Sequence, residues 1–195
     1  MTDRSIHTEA LPTSIRGCVI ALERCLKLLG EIDDDTFVAP SSDHGTIGAH
    51  LRHCIEYFRC FFAEATTGLV EYDARERDLA LETDRDLSSV AIKEIIAELR
   101  ERTENDLDRV VVIQQSLAPD SPPEPIQSTV RREWMSLSDH TIHHLAIITQ
   151  LIAAGGRCES VTHVASQLGV AFSTQAHRAR VGAPDSSRDP DGCAR

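Results

Sequence analysis

Four stretches of this chain bring apolar side chains back every three or four residues, the interval at which one face of an α-helix repeats, and that recurrence limits the possible folds most. In the first, Ile15, Cys18, Val19, Leu22, Cys25, Leu26 and Leu29 keep the rhythm until Gly30 and the acidic run Asp33 to Asp35 end it. The second follows a loop, APSSDHG, and carries Ile47, Leu51, Cys54, Ile55, Phe58, Phe61 and Phe62 as far as Gly68. The third runs through Ile92, Ile95, Ile96, Leu99, Thr103, Leu107, Val110 and Val111 until APDSPPEP stops it, because proline cannot continue a helix. The fourth starts near Arg131, carries Trp134, Leu137, Thr141, Leu145, Ile148 and Ile152, and closes at Gly155 and Gly156. Helices with one apolar face bury it best against one another, so the expected class is all-α, a four-helix bundle with a C-terminal extension.

Between the second and third helices, LVEYDARERDLALETDRD sustains no period and reads as an ordered or semi-ordered loop, while Ile126 to Val130 is β-prone enough for a small extended segment. A bundle domain is expected over residues 1–160 and a segment packing on it over 161–182. Residues 183–195 are expected to form a disordered tail. The total of 195 residues suits one domain with tails, and 41% apolar with 26% charged residues is the balance of an ordinary globular protein.

A formal charge of −11 with no cluster of Lys and Arg argues against nucleic acid and against an anionic membrane surface as partners. Nothing reaches the roughly 18 consecutive apolar residues of a membrane span. The start MTDRSIHTEA lacks the basic and apolar regions of a signal peptide, so the expected location is the cytoplasm. Six cysteines without a CxxC spacing read as free thiols, Cys54 and Cys60 among them packing as small hydrophobes rather than reacting.

The chemistry concentrates in histidine. SDHTIHHLAII lies on the fourth helix, where Glu133, Leu137, His140, His144 and Ile148 form one stripe, so the polar members point where the apolar ones point. A buried imidazole needs a hydrogen-bond partner or a metal, and His140 and His144 one turn apart suit either. His143 lies roughly 60° off this line in a regular helix. A third ligand has to come from elsewhere, and GTIGAHLRHCIEYF on the second helix offers His50 and His53. Helical-wheel geometry puts His50 nearer the middle of the apolar face and His53 at its edge. Five of the nine histidines fall in these two short windows, which favours a metal site over satisfied core histidines. Three imidazoles suit Zn²⁺, Ni²⁺, Fe²⁺ or Mn²⁺, and the absence of HExxH gives a zinc-protease reading no support.

The combination of four helices with TIGAHLRH in the second and HTIHH in the fourth resembles the DinB-like (DinB/YfiT) superfamily of small bacterial metal-binding bundles, over roughly Ile15 to Gly155. GVAFST, from Gly169, resembles a tail motif of one branch that often reads GVAPST, with Phe172 in place of the proline. The resemblance implies an up-down-down-up four-helix bundle whose metal is held by one histidine of the second helix and an HxxxH pair of the fourth. Carried over, the pair is His140 and His144 and the third ligand is His53, with His50 as runner-up. Tyr57 stands where relatives of this branch often have a histidine, which alters the pocket wall.

Some members of that superfamily transfer thiol cofactors such as bacillithiol or glutathione, and some are mycothiol-dependent isomerases. The resemblance therefore implies a small-molecule substrate, a low-molecular-weight thiol as co-substrate, and pairing into a homodimer. A divalent metal lowers the pKa of a water or thiol ligand, giving hydroxide or thiolate near neutral pH. Glu133 is a candidate to orient a ligand imidazole or to shuttle a proton. Asp73, Arg75 and Arg77 in YDARERD either reach a polar substrate or belong to an exposed charged loop. Two functions follow: a metal-dependent enzyme of thiol-transferase or hydrolase type, or a stress-associated binding protein with a structural or vestigial metal.

Overall fold

The apolar stripes form helices in a computed structural model that describes residues 11–40, 45–155 and 159–181. Helix α1 (Thr13–Glu31) buries Ile15, Cys18, Val19, Leu22, Cys25 and Leu29. The short α2 (Asp34–Val38) starts where the Asp33 carboxylate accepts from the Thr36 amide at 2.8 Å. Helix α3 (Ile47–Glu64) starts at Thr46, whose hydroxyl accepts from the Ala49 amide at 2.9 Å and so satisfies one of the amides a helix start leaves without a partner. After α4 (Ala80–Thr83), the Asp84 side chain caps α5 (Arg85–Arg100) in the same way, and Thr129 caps α6 (Val130–Ala154). Helices α1 and α3 each pack against both α5 and α6.

Trp134 fixes how α6 meets α3. It is 3% exposed, its ring edge-on to Phe61 at 4.5 Å and tilted against Phe62 at 5.1 Å. Such pairs add about 0.5–1.5 kcal/mol each beyond area burial, enough to hold one rotation of α6 over others. Gly48 lets another approach happen: a Cβ there would stand 2.0 Å from the Glu82 carbonyl oxygen and 2.9 Å from the Phe37 ring. The backbone of α4 thus lies directly on the first turn of α3.

The chain is mostly helical, as expected, but a three-stranded sheet departs from an all-α class. Strands β1 (Leu69–Val70), β2 (Val110–Gln115) and β3 (Glu124–Thr129) lie in that order, β1 parallel and β3 antiparallel to β2, with Ile113 opposite both Val70 and Ile126. Helix α5 ends at Arg100, so Thr103, Leu107, Val110 and Val111 do not belong to it. Four β-branched residues in a row, Val110 to Ile113, favour extended backbone. Their burial follows a period of two, with Val110 52% exposed, Val111 1% and Ile113 7%. The proline-rich stretch therefore joins two strands rather than ending a helix. Pro125 sits on the outer strand β3, where its missing N–H is tolerated. Ile126 to Thr129 is extended as expected, and Val130 already begins α6.

The charged stretch after α3 is ordered and holds short regular elements of its own. It supplies β1, a 3-10 turn at Tyr72–Ala74 and α4, and it buries Tyr72 and Leu81. Beyond α6, α7 (Glu159–Leu168) packs against α6 and α1, and α8 (Phe172–Val181) follows. The Arg24 guanidinium donates to the carbonyls of Leu168 and Val170 at 3.0 Å each and lies over the Phe172 ring at 4.8 Å, which ties the GVAFST turn to α1. The tail expected over 183–195 lies outside the described residues. Among the described residues, no helix is long and apolar enough to cross a membrane.

Candidate metal centre

Capping by Thr46 and Thr129 sets where α3 and α6 begin, and Trp134 sets their mutual rotation; together these bring the two histidine windows face to face. His53, His140 and His144 each offer a ring nitrogen within 4.8 Å of the others, the one such group of metal-ligating side chains among the described residues. Ring centroids are 4.9 Å apart for His53 and His140, 4.8 Å for His53 and His144, and 4.5 Å for His140 and His144.

All three imidazoles are kept neutral. Burial lowers His53 to about 4, helped by the charges of His140 and Arg75. Burial likewise lowers His140 to about 4, with His143 and Arg75 adding to it, and His144 to about 3, with its histidine neighbours adding to it. Neutral imidazole is the form that binds a metal.

The nitrogens differ in what else they touch. Nε2 of His140 is buried and has no hydrogen-bond partner among the described residues. Leaving such an atom unsatisfied costs about 1–3 kcal/mol, so it is poised for a ligand that the protein itself does not supply. Nδ1 of His144 lies 2.8 Å from Nδ1 of His50, one donating and the other accepting, which leaves Nε2 of His144 for a metal. His50, favoured by wheel geometry, thus stands outside the three-nitrogen set.

His53 is already engaged. The Arg75 guanidinium donates to its Nδ1 at 3.2 Å and is itself held by the Tyr72 carbonyl at 2.8 Å, by Glu56 at 3.7 Å and by the face of Tyr57 at 4.6 Å. A guanidinium only donates, so while this contact lasts the His53 proton sits on Nε2. A metal on Nδ1 would displace Arg75, and a metal on Nε2 would set an Nδ1–H against an Arg N–H. Metal and contact are therefore mutually exclusive. Metal–nitrogen bonds of about 2.0–2.1 Å would need the nitrogens drawn closer than the 4.8 Å within which they lie, an approach that release of Arg75 would permit for His53.

Beside the centre opens a cleft of about 630 Å³, lined by Tyr57, Tyr72, Glu133, His140 and His143 among others. Tyr57 stacks on Tyr72 at 4.9 Å and on His140 at 4.8 Å, and burial pushes its hydroxyl up. His143 is exposed, as its angle on the wheel predicts. Glu133 is buried, but its hydrogen bonds come from the Tyr72 hydroxyl at 3.1 Å and the Ser128 hydroxyl at 2.6 Å, so it orients no ligand imidazole directly. Asp73 accepts from the Ser116 amide at 2.7 Å and Arg77 is exposed, so of the three loop charges only Arg75 reaches the histidines.

Burial pushes the Cys60 thiol up to about 12 and Cys54 well above its ordinary value, which keeps both protonated, in line with packing. Two site residues escaped sequence reasoning. Glu56, 3% exposed, pairs with Arg52 at 3.1 Å and accepts from the Asp78 amide at 2.9 Å, pinning the Arg75 segment to α3. The spacing of Arg52 and Glu56, one helical turn, was its only sequence signal. Tyr72 carried none, being a lone aromatic in a charged run. No protein-family model matches the chain, and no curated protein or solved structure matches it either.

Proposed function

We propose that this chain is a divalent-metal-binding protein of the DinB-like kind, its long helices forming an up-down-down-up bundle, and that it acts as a metal-dependent enzyme on a small molecule. His53, His140 and His144 hold the metal. The reading is carried by one observation, the buried and unpartnered Nε2 of His140 among two further neutral imidazoles at the wall of a cleft. When bound, the metal supplies the charge that makes a water or a low-molecular-weight thiol nucleophilic near neutral pH. The donor set admits zinc, nickel, iron or manganese.

The chain's own residues have separate tasks. His50 orients His144 through their shared hydrogen bond, the role that an outer partner plays for a ligating histidine. Arg75 would have to release Nδ1 of His53 for that residue to hold a metal, and Tyr57 walls the cleft next to His140. The rival reading, a binding protein with a vestigial site, draws on that same Arg75 contact, which engages one of the three proposed ligands.

Metal content after dialysis tests the site. Wild type is expected to retain about one divalent ion per chain and His140→Ala and His144→Ala to retain little; no metal in wild type, or full retention in both variants, overturns it. Metal-dependent consumption of a thiol in the presence of an electrophile, or metal-dependent hydrolysis, separates the enzyme from the vestigial site.

A further inference from the structure

We propose that the cleft takes a substrate carrying a primary ammonium group, anchored on the Glu133 carboxylate, with its reacting end at His140. Only the placing of the reacting end rests on the metal reading; the ammonium site stands on the cleft itself. Glu133 is 7% exposed and lines a cavity of about 630 Å³, within the size range of small-molecule sites. Its oxygens accept one hydrogen bond each, both from neutral hydroxyls, Tyr72 and Ser128. A carboxylate offers about four acceptor positions, so about two remain. No Lys, Arg or His forms an ion pair with it among the described residues. Arg132, the preceding residue, donates to the Ser136 hydroxyl instead. Buried carboxylates are normally paired with a cation, and this one faces a space into which a cation fits.

The sign of the charge in the wall favours the same ligand. Among the lining residues Glu133 and Asp139 outnumber the single guanidinium of Arg132, and the Arg75 charge on the far side of Tyr57 is offset by Glu56, so the wall favours an ammonium over an anion. Glu133 and His140 are seven residues apart on α6, which separates their backbones by about 10.5 Å. The ligand therefore needs a spacer between ammonium and reacting atom, and Ile113 and Leu137 provide apolar surface for an aliphatic one.

The test needs no metal. Metal-free protein at physiological ionic strength, where exposed charges are screened, is titrated by calorimetry or NMR with hexylamine, hexanol and hexanoate. The amine is expected to bind about tenfold or more tighter than the alcohol, the increment of a hydrogen bond to a charged group, with hexanoate weakest. Glu133→Gln keeps the shape and is expected to abolish the preference. Absence of any preference for the amine in wild type overturns the proposal without recourse to a variant, and so does a folded Glu133→Gln protein that keeps it. Because metal retention is measured separately, failure of the ammonium site leaves the three-histidine centre standing, and failure of the centre leaves the ammonium site standing. On cobalt-loaded protein, aminohexanethiol is expected to develop sulfur-to-cobalt absorption at a lower concentration than hexanethiol; equal concentrations would overturn the shared placement of the two ends.

Discussion

The Arg75 guanidinium lies 3.2 Å from a nitrogen that the proposed metal requires to be free of it, and nothing in the protein makes the two compatible. Removing that competitor is therefore expected to help the metal. Arg75→Met, which keeps the aliphatic stem over Tyr57, is predicted to tighten metal binding about tenfold, the equivalent of one hydrogen bond to a charged group. Competition against a chromophoric chelator measures this, and an unchanged affinity would mean that the guanidinium does not compete. The histidines themselves were legible from spacing, because His140 and His144 share a face in any regular helix. The choice between His50 and His53 was not, since it turns on a few tens of degrees of helix rotation, which the packing of Trp134 against Phe61 sets.

Elements that were amphipathic over several turns could be read directly: α1, α3 and α6 bury the stripes expected of them, and so does α5 as far as Leu99. Beyond Leu99 the helical period was an accident of spacing, with Leu107 and Val111 buried from different elements, and the β-branched run Val110 to Ile113 was the better signal. Gly48 shows an element's placement hanging on one hydrogen atom. Gly48→Ala gains helix propensity, but its methyl would meet the Glu82 carbonyl at 2.0 Å, and backbone yields less readily than a side chain. A net loss of about 1–3 kcal/mol is predicted from chemical denaturation, with α4 displaced from α3. An unchanged midpoint would mean that α4 does not lie on that turn.

For the whole molecule, three lowered imidazoles make stability depend on pH in a definite direction. Unfolded histidines take up protons near pH 6.5, whereas His53 and His140 wait until about 4 and His144 until about 3. Folding stability of the metal-free protein is thus fullest above pH 6.5, falls as pH drops towards 4, and has lost this contribution below 3. Urea midpoints across that range check the prediction, and a His140→Ala, His144→Ala double variant is expected to show a shallower decline; the same slope in both would refute it. What neighbouring residues dictate among themselves was readable before the fold was known: the helical period and the pairing of His140 with His144 on one turn. What required the folded chain were contacts between distant positions. Arg75 meets His53 across 22 residues and Tyr72 meets Glu133 across 61, and β2 pairs in parallel with the distant β1. Periodicity records which face of a segment avoids water, but not which distant segment covers it or at what rotation. That choice is made by the packing of the chain as a whole, and here it decides which nitrogens are open to a ligand.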